Sequence, residues 1–265
     1  MSVNAHLNAV AQECYVRDDE RAGIDRSISH IYGELGHSFG DQLKNVLVFG
    51  SYARGTILPR KADRDSDVDL LVVFRDASHR PQTYLNRLRA FVGQRYSRSE
   101  VKQANPTIQL DLNHIRFELV PAIETIWSPF NIPAPASGYE DWLGTDPVEF
   151  NSDLVEANRA NRDLVKPVVR VLKRWNAVRG YPFASYDLER QVVRNAPAGL
   201  FVRFSNVADG FYWACENLSL PLESAQWRRE YLRGLQECAQ TAKHEEAMGY
   251  GVAARQRVER LIPRL

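Results

Sequence analysis

Cysteine is scarce in this chain. Cys14, Cys215 and Cys238 are the three in 265 residues, and none stands at a Cys-x-x-Cys spacing. That excludes a zinc ribbon and a disulfide framework, and the thiols are read as reduced, in a cytoplasmic protein. Long apolar runs are missing as well. No stretch approaches the roughly 18 apolar residues of a membrane span, and the N-terminal MSVNAHLNAVAQECYV is too polar for a secretory signal. A membrane is therefore not an expected partner. Charge of one sign is lacking: 34 Lys and Arg stand against 33 Asp and Glu, a net charge of +1, with an isoelectric point of 7.8. A protein that wraps long nucleic acid is expected to be more basic, and the local basic clusters here create no overall demand for a polyanion. Repeats and low-complexity tracts are absent too. What remains is a globular composition, 44% hydrophobic and 25% charged, in a chain long enough for one large domain or two modest ones.

The chain is organised around residues 45–74, NVLVFGSYARGTILPRKADRDSDVDLLVVF. The pattern predicts strand, turn, short helix, loop, strand. Val46, Leu47, Val48 and Phe49 form an apolar run that ends at Gly50-Ser51, and Val68 with residues 70–74 forms a second. Asp67 and Asp69 stand at the mouth of that second strand, on one face because side chains alternate. Two carboxylates about 7 Å apart along a strand repel each other. A hard divalent cation removes the conflict, and Mg²⁺ uses one or two carboxylates together with substrate phosphate oxygens. Gly50 lets a phosphate approach the backbone, and Ser51 opens a short helix over residues 52–55 whose free N–H groups suit an anion. A Gly-Ser followed by Asp-x-Asp, each attached to its own strand, resembles the nucleotidyltransferase signature of the polymerase-β superfamily. Asp63 and Asp65, in the same loop, are read as exposed loop charges, with Asp65 kept as a reserve ligand.

Elsewhere, residues 4–35 read as one long helix broken over residues 36–40, and residues 83–96 as an amphipathic helix. Residues 101–103, 107–112 and 116–120 are short strands, with Pro106 and Asn113-His114 as punctuation. Residues 127–147, rich in proline and glycine (Pro129, Pro133, Pro135, Gly138, Gly144, Pro147), read as an irregular connection anchored by Trp142 and adjoining a domain boundary. From about residue 153 the pattern is helical. A stripe from Leu154 to Trp175 carries Pro167 as a kink or break, Gly180 and Pro182 form a turn, and Ser185 caps a helix over residues 186–193. Three more helices are expected over residues 198–217, 224–243 and 245–261, the last basic.

A third carboxylate is expected for phosphoryl transfer with two metals. In Ile115-Arg-Phe-Glu-Leu-Val-Pro-Ala-Ile, the alternation sets Glu118 in a strand next to the Asp pair. Asp111, in TIQLDL, is the rival, and Glu118 is preferred because it directly precedes LVPAI.

Four segments together, GSYARGT, DSDVDLLVVF, FELVPAI and VVRVLKRWNAVRGYPFASYDLE, resemble the bacterial cyclic-oligonucleotide synthases (CD-NTases, SMODS type), relatives of animal cyclic GMP-AMP synthase and oligoadenylate synthase. The likeness runs from about residue 45 to 193. It implies an α/β (α+β) fold: a polymerase-β-like mixed sheet with helices over residues 1–150, and a helical domain over residues 151–265 that closes the nucleotide cleft. It implies catalysis and metal binding by Asp67, Asp69 and Glu118, and nucleotide binding by Gly50, Ser51, Lys173, Ser185 and Tyr186, ahead of a buried Glu189. Lys173 suits a polyphosphate, and Tyr186 offers a stacking face. The resemblance further implies ATP, GTP or other nucleoside triphosphates as substrates, two Mg²⁺ or Mn²⁺ ions, a cyclic di- or trinucleotide product used in anti-phage (CBASS-type) signalling, and regulatory or effector proteins of a defence operon as partners. The sequence departs from the family in one respect: the third acid is usually Asp, and here it is Glu118, longer by one methylene. Two alternatives stay open. One is transfer to another acceptor: a tRNA end, linear oligoadenylate, or a protein. The other is a regulatory module that binds nucleotide without chemistry.

Overall fold

A computed structural model of the chain describes residues 2–96, 101–104, 107–134, 141–199 and 202–265. The expected punctuation at Pro106, Pro135 and Gly138 lies outside them. The chain forms two compact units, and neither is continuous in sequence: Val16–Gly55 with Asp65–Glu149, and Met1–Tyr15 with Thr56–Arg64 and Phe150–Leu265. The second thus takes in two segments from the N-terminal half besides the C-terminal helices.

The first unit is built on a mixed sheet. Its strands are β1 (Leu43–Phe49), β2 (Asp67–Phe74), β3 (Val101–Ala104), β4 (Thr107–Asp111), β5 (Arg116–Ile123), β6 (Phe130–Pro133) and β7 (Trp142–Thr145), and its helices are α2 (Asp18–Phe39), α3 (Gly50–Arg54) and α4 (Pro81–Arg95). The order is β1-β2-β5-β4-β3, with β6 paired to β5 and β7. β2 and β5 run parallel, while β1 pairs antiparallel with β2 and β4 with β5. The expected irregular connection at 127–147 therefore contains a strand pair. Trp142 does act as an anchor there, its ring 5.6 Å from that of Tyr84.

One face of the sheet is apolar along β2. Val68, Leu70, Val72 and Phe74 are buried on it, and Phe74 meets Phe39 of α2 at 5.5 Å and Tyr84 of α4 at 4.8 Å between ring centres. The opposite face is apolar only at one end, where Leu71, Val73, Val120 and Ala122 cluster with Phe130 and Ile132. At its other end the same alternation presents the acidic residues.

The second unit contains α1 (Val3–Glu13), α5 (Pro147–Ala160, most of it), α6 (Val165–Val178), α7 (Ser185–Asn195), α8 (Val207–Asn217), α9 (Gln226–Ala247) and α10 (Gly251–Leu261). Its core includes the fully buried Trp175, Phe183, Phe204 and Phe211. α6 is the central helix, in contact with α1, α7 and α8. Gly210 allows the α8 approach, since a Cβ there would lie 2.7 Å from Val168 Cγ2.

Several expectations are corrected. The long N-terminal helix is two helices, divided after Cys14 and assigned to different units. Asp18, Asp19 and Glu20 mark the second start, where acidic side chains meet the positive end of the helix dipole. α2 runs through Gly36 and ends at Gly40, whose φ of +50° stops it. The stripe from 154 to 175 breaks at Arg162 and Asp163, both at positive φ. Pro167 is not a kink, because it sits in the first turn of α6, where its missing N–H has no intrahelical partner to lose. Ser185 does not cap α7: it is the first helical residue and Ala184 precedes it. α8 begins later than expected, capped by the Asn206 side chain accepting from the Asp209 N–H. No described helix is long and apolar enough to cross a membrane, and Cys14, Cys215 and Cys238 are free thiols.

Candidate active site

Strand register decides what the acidic end of the sheet contains. Parallel pairing sets Asp69 opposite Glu118 and Asp67 opposite Arg116. Antiparallel pairing on the far side of β5 sets Gln109 opposite Glu118 and Asp111 opposite Arg116. Because neighbouring strands lie about 4.8 Å apart, two rows cross the same face, Asp69–Glu118–Gln109 and Asp67–Arg116–Asp111. All six residues are half-buried.

The row containing Arg116 is internally paired. Its Nε donates to Asp111 at 3.1 and 3.3 Å, and a terminal nitrogen donates to Asp65 at 3.4 Å. Burial works against the Arg116 charge, but the hydrogen bond and field of Asp111, then of Asp65, outweigh it and raise the guanidinium pKa. Asp111, the rival third acid, is thus two strands from Asp67 and ion-paired. Glu118 is one strand from Asp69, and its carboxylate accepts from two neutral donors on β4: Gln109 Nε2 at 2.8 Å and Thr107 Oγ1 at 3.2 Å.

Gly50 and Asp69 fit together in a way that excludes a side chain at 50. Gly50 has φ +68°, and a Cβ there would lie 1.8 Å from Asp69 Oδ2. The Asp69 carboxylate occupies the space a side chain would fill. Ser51 follows in α3, which Gly55 ends in the left-handed conformation. Tyr52 holds α3 against α2: its hydroxyl donates to Asp25 Oδ1 at 2.6 Å, and the Arg21 guanidinium lies 5.1 Å from its ring centre. Burial, then the bond to Asp25, pushes the Tyr52 phenol up.

The other expected residues belong to the helical unit. Lys173 of α6 is 6% exposed, and its Nζ donates to Thr56 O at 3.2 Å. The Thr56 hydroxyl donates to Glu189 Oε1 at 2.7 Å, and Glu189 is 1% exposed. Arg174 donates to Ala62 O at 2.7 Å. Asp63 accepts from the Tyr181 hydroxyl. Asp63 is thus buried rather than an exposed loop charge, while Asp65 is exposed as expected. Ser185 and Tyr186 open α7. Tyr186 is 49% exposed, with its ring edge-on to Phe150 at 5.2 Å.

The structure therefore gathers Gly50, Asp69 and Glu118, with Asp67 one row away, and gathers Lys173 and Glu189 around Thr56. Thr107, Gln109, Arg116 and Thr56 were missed in the sequence. The signal for the β4 residues was present: Thr107, Gln109 and Asp111 alternate with Ile108 and Leu110, and a hairpin at Asn113-His114 aligns them with β5.

Among the described residues, no three His, Cys, Asp or Glu side chains are gathered as a metal cluster. The donors on the acidic face are hard carboxylate oxygens, the chemistry suited to Mg²⁺ or Mn²⁺ rather than to a thiolate- or imidazole-bound metal.

Solved structures of three proteins have similar folds. The CD-NTase CdnG of Bradyrhizobium diazoefficiens, solved in complex with GTP, matches with a TM-score of 0.73 at 12% identity over 98% of each chain. CdnC of Escherichia coli, solved with ATP, matches with a TM-score of 0.67 at 15% identity over 97% of this chain and 96% of that one. CdnC has also been solved in complex with a HORMA protein. The cyclic AMP-GMP synthase DncV of Vibrio cholerae, solved with a linear intermediate, matches with a TM-score of 0.63 at 11% identity over 83% of this chain and 68% of that one. At such identities the likeness shows a shared fold. A comparison with curated protein sequences gave no match. The profile of the Second Messenger Oligonucleotide or Dinucleotide Synthetase domain matches residues 1–158, more than half of the chain, and the chain belongs to that family of nucleotidyltransferases.

Proposed function

We propose that the protein is a template-independent synthase that joins nucleoside triphosphates, with ATP and GTP the first candidates, into a cyclic di- or trinucleotide. The observation that carries this reading is the register of β2 against β5, which sets Asp69 beside Glu118 on the face where Asp69 also lies against Gly50. Two carboxylates, Asp69 and Glu118, stand in register there, next to a backbone with no side chain to obstruct a phosphate.

In this reading Asp67, Asp69 and Glu118 would hold two divalent cations, Mg²⁺ or Mn²⁺. When bound, these supply charge neutralisation for the triphosphate and a lowered pKa for the attacking hydroxyl. The protein's own groups bind and orient. Gly50 and Ser51 receive the polyphosphate, and Lys173 is a nucleotide-binding residue of the helical unit whose ammonium suits a phosphate. Ser185 is a further donor, and the half-open Tyr186 ring stacks on a base, a contact of about 1–3 kcal/mol in stacking sites. A ribose hydroxyl of one nucleotide attacks the α-phosphate of the other in line, and pyrophosphate leaves. A second such step closes the ring. The product serves as a second messenger in anti-phage defence, and the CdnC–HORMA complex makes a regulatory protein partner the natural extension.

The test is incubation of the purified protein with radiolabelled nucleoside triphosphates and Mg²⁺ or Mn²⁺, then phosphatase treatment and mass spectrometry. A phosphatase-resistant product of two or three nucleotides, absent from Asp67→Ala/Asp69→Ala, is the expected result. A linear product or a labelled protein would redirect the reading to another acceptor. Tight nucleotide binding without turnover, with candidate partner proteins added, would overturn it in favour of a binding module.

A further inference from the structure

The two rows on the acidic face are completed from β4 in opposite ways. Asp111 meets Arg116, and their charges cancel. Glu118 meets Gln109 and Thr107, one donor for each carboxylate oxygen: Gln109 Nε2 to Oε1 and Thr107 Oγ1 to Oε2. Both donors are neutral. They remove none of the carboxylate's charge, and each uses one of the two lone-pair sites on the oxygen it binds. The side chain's direction is thereby fixed while its capacity to bind a cation is kept. The contact is not a solvated accident of the strand face, because Thr107 is 4% exposed. Its hydroxyl reaches across the sheet rather than back to its own backbone, the more usual habit of threonine.

We propose that Gln109 and Thr107 are positioning residues for Glu118. They hold the longer acidic side chain in one orientation toward β4, so that the oxygen faces directed away from β4 remain open to a divalent cation shared with Asp69. This inference rests on the reading of Glu118 as a metal-binding acid given above. Partners of this kind cost about 10–100-fold in metal affinity or activity when removed.

The test is Mn²⁺ binding to the full chain, followed by electron paramagnetic resonance in the presence of a non-hydrolysable triphosphate, alongside kcat and KM for product formation. Thr107→Val keeps the shape and removes the donor, and Gln109→Met does the same at its position. Each is expected to weaken Mn²⁺ binding by about 10-fold or more and to lower kcat with little change in the KM for nucleotide. Thr107→Ser keeps the hydroxyl and loses the methyl, so it is expected to retain near wild-type affinity. Unchanged Mn²⁺ affinity in Thr107→Val and Gln109→Met would overturn the proposal. So would a Thr107→Ser loss equal to that of Thr107→Val, which would make packing the cause. Asp69→Asn separates the two readings. If it leaves Mn²⁺ binding and turnover intact, the acidic face is not the metal site and the proposed function fails with the inference. If it abolishes both while the β4 variants behave as wild type, the inference alone fails.

Discussion

Gly50 has room for a hydrogen and nothing larger. Its positive φ and the Asp69 carboxylate lying where a Cβ would project are independent constraints on the same position. Gly50→Ala is expected to cost roughly 1–3 kcal/mol from backbone strain alone, and to displace Asp69 and abolish product formation. Urea unfolding and the nucleotide assay check the two effects separately. The neighbouring acids divide differently. Glu118→Ala is expected to abolish turnover and leave nucleotide binding measurable by calorimetry. Asp111→Ala is expected to keep turnover and to lose about 1 kcal/mol or less with its partly exposed ion pair to Arg116. The sequence could show Gly50, Asp67 and Asp69 because their relation is local, a turn and a period of two. It favoured Glu118 over Asp111 through the LVPAI that follows, but the residue opposite Asp69 is set by the register between β2 and β5, strands separated by more than forty residues of chain. No spacing expresses that.

At the scale of elements, the segment 56–64 leaves the sheet unit directly after α3 and is counted with the helices. Buried side chains fasten it there: Lys173 and Glu189 at Thr56, Arg174 at Ala62 and Tyr181 at Asp63. Thr56→Val strands the buried Glu189 carboxylate without this donor. It is expected to destabilise the protein by about 1–3 kcal/mol, with Thr56→Ser restoring most of the loss, as read by guanidinium denaturation. β1 and β2 were legible as apolar runs beside turn residues, and β5 as an alternating stretch over residues 116–120 that the structure extends to Ile123. β6 and β7 were not, because four residues apiece with proline and glycine among them carry too little alternation to stand out. The division between α1 and α2 was hidden by continuous helical spacing of apolar residues on both sides. The acidic Asp18-Asp19-Glu20 was the available sign of a new helix start.

At the scale of the whole molecule, burial holds weak acids in their neutral form. Burial pushes the Cys14 thiol up to about 11, with Cys238 likewise about 11 and Cys215 well above its ordinary value. In the sheet unit, burial pushes Tyr96 up to about 12. A group whose folded pKa is raised adds stability that is fully present below its ordinary pKa and is lost as pH climbs through the folded one. For the thiols that window runs from 9 to about 11. The melting temperature is expected to be insensitive to these groups up to about pH 9 and to fall progressively above it. Scanning calorimetry from pH 7 to 11 checks this, and Cys14→Ala is expected to soften the alkaline decline. Cys14 and Cys215, both fully buried, are expected to resist aromatic disulfide reagents at neutral pH until the protein is unfolded.

The interleaving of the two units sets an order of assembly on the ribosome. α1 is synthesised early, with Val3, Leu7, Val10, Ala11 and Cys14 all buried in the finished protein. The helices it packs against, α6, α8 and α10, begin at Val165, Val207 and Gly251. Apart from Leu58 and Ala62 of the segment 56–64, which join the same core, more than a hundred codons separate this apolar stripe from its helical partners. The sheet, whose strands are all complete by Thr145, has every pairing partner available before that happens. Until those helices are made, most of the core that buries this stripe is missing, so the helical unit is completed only after the sheet.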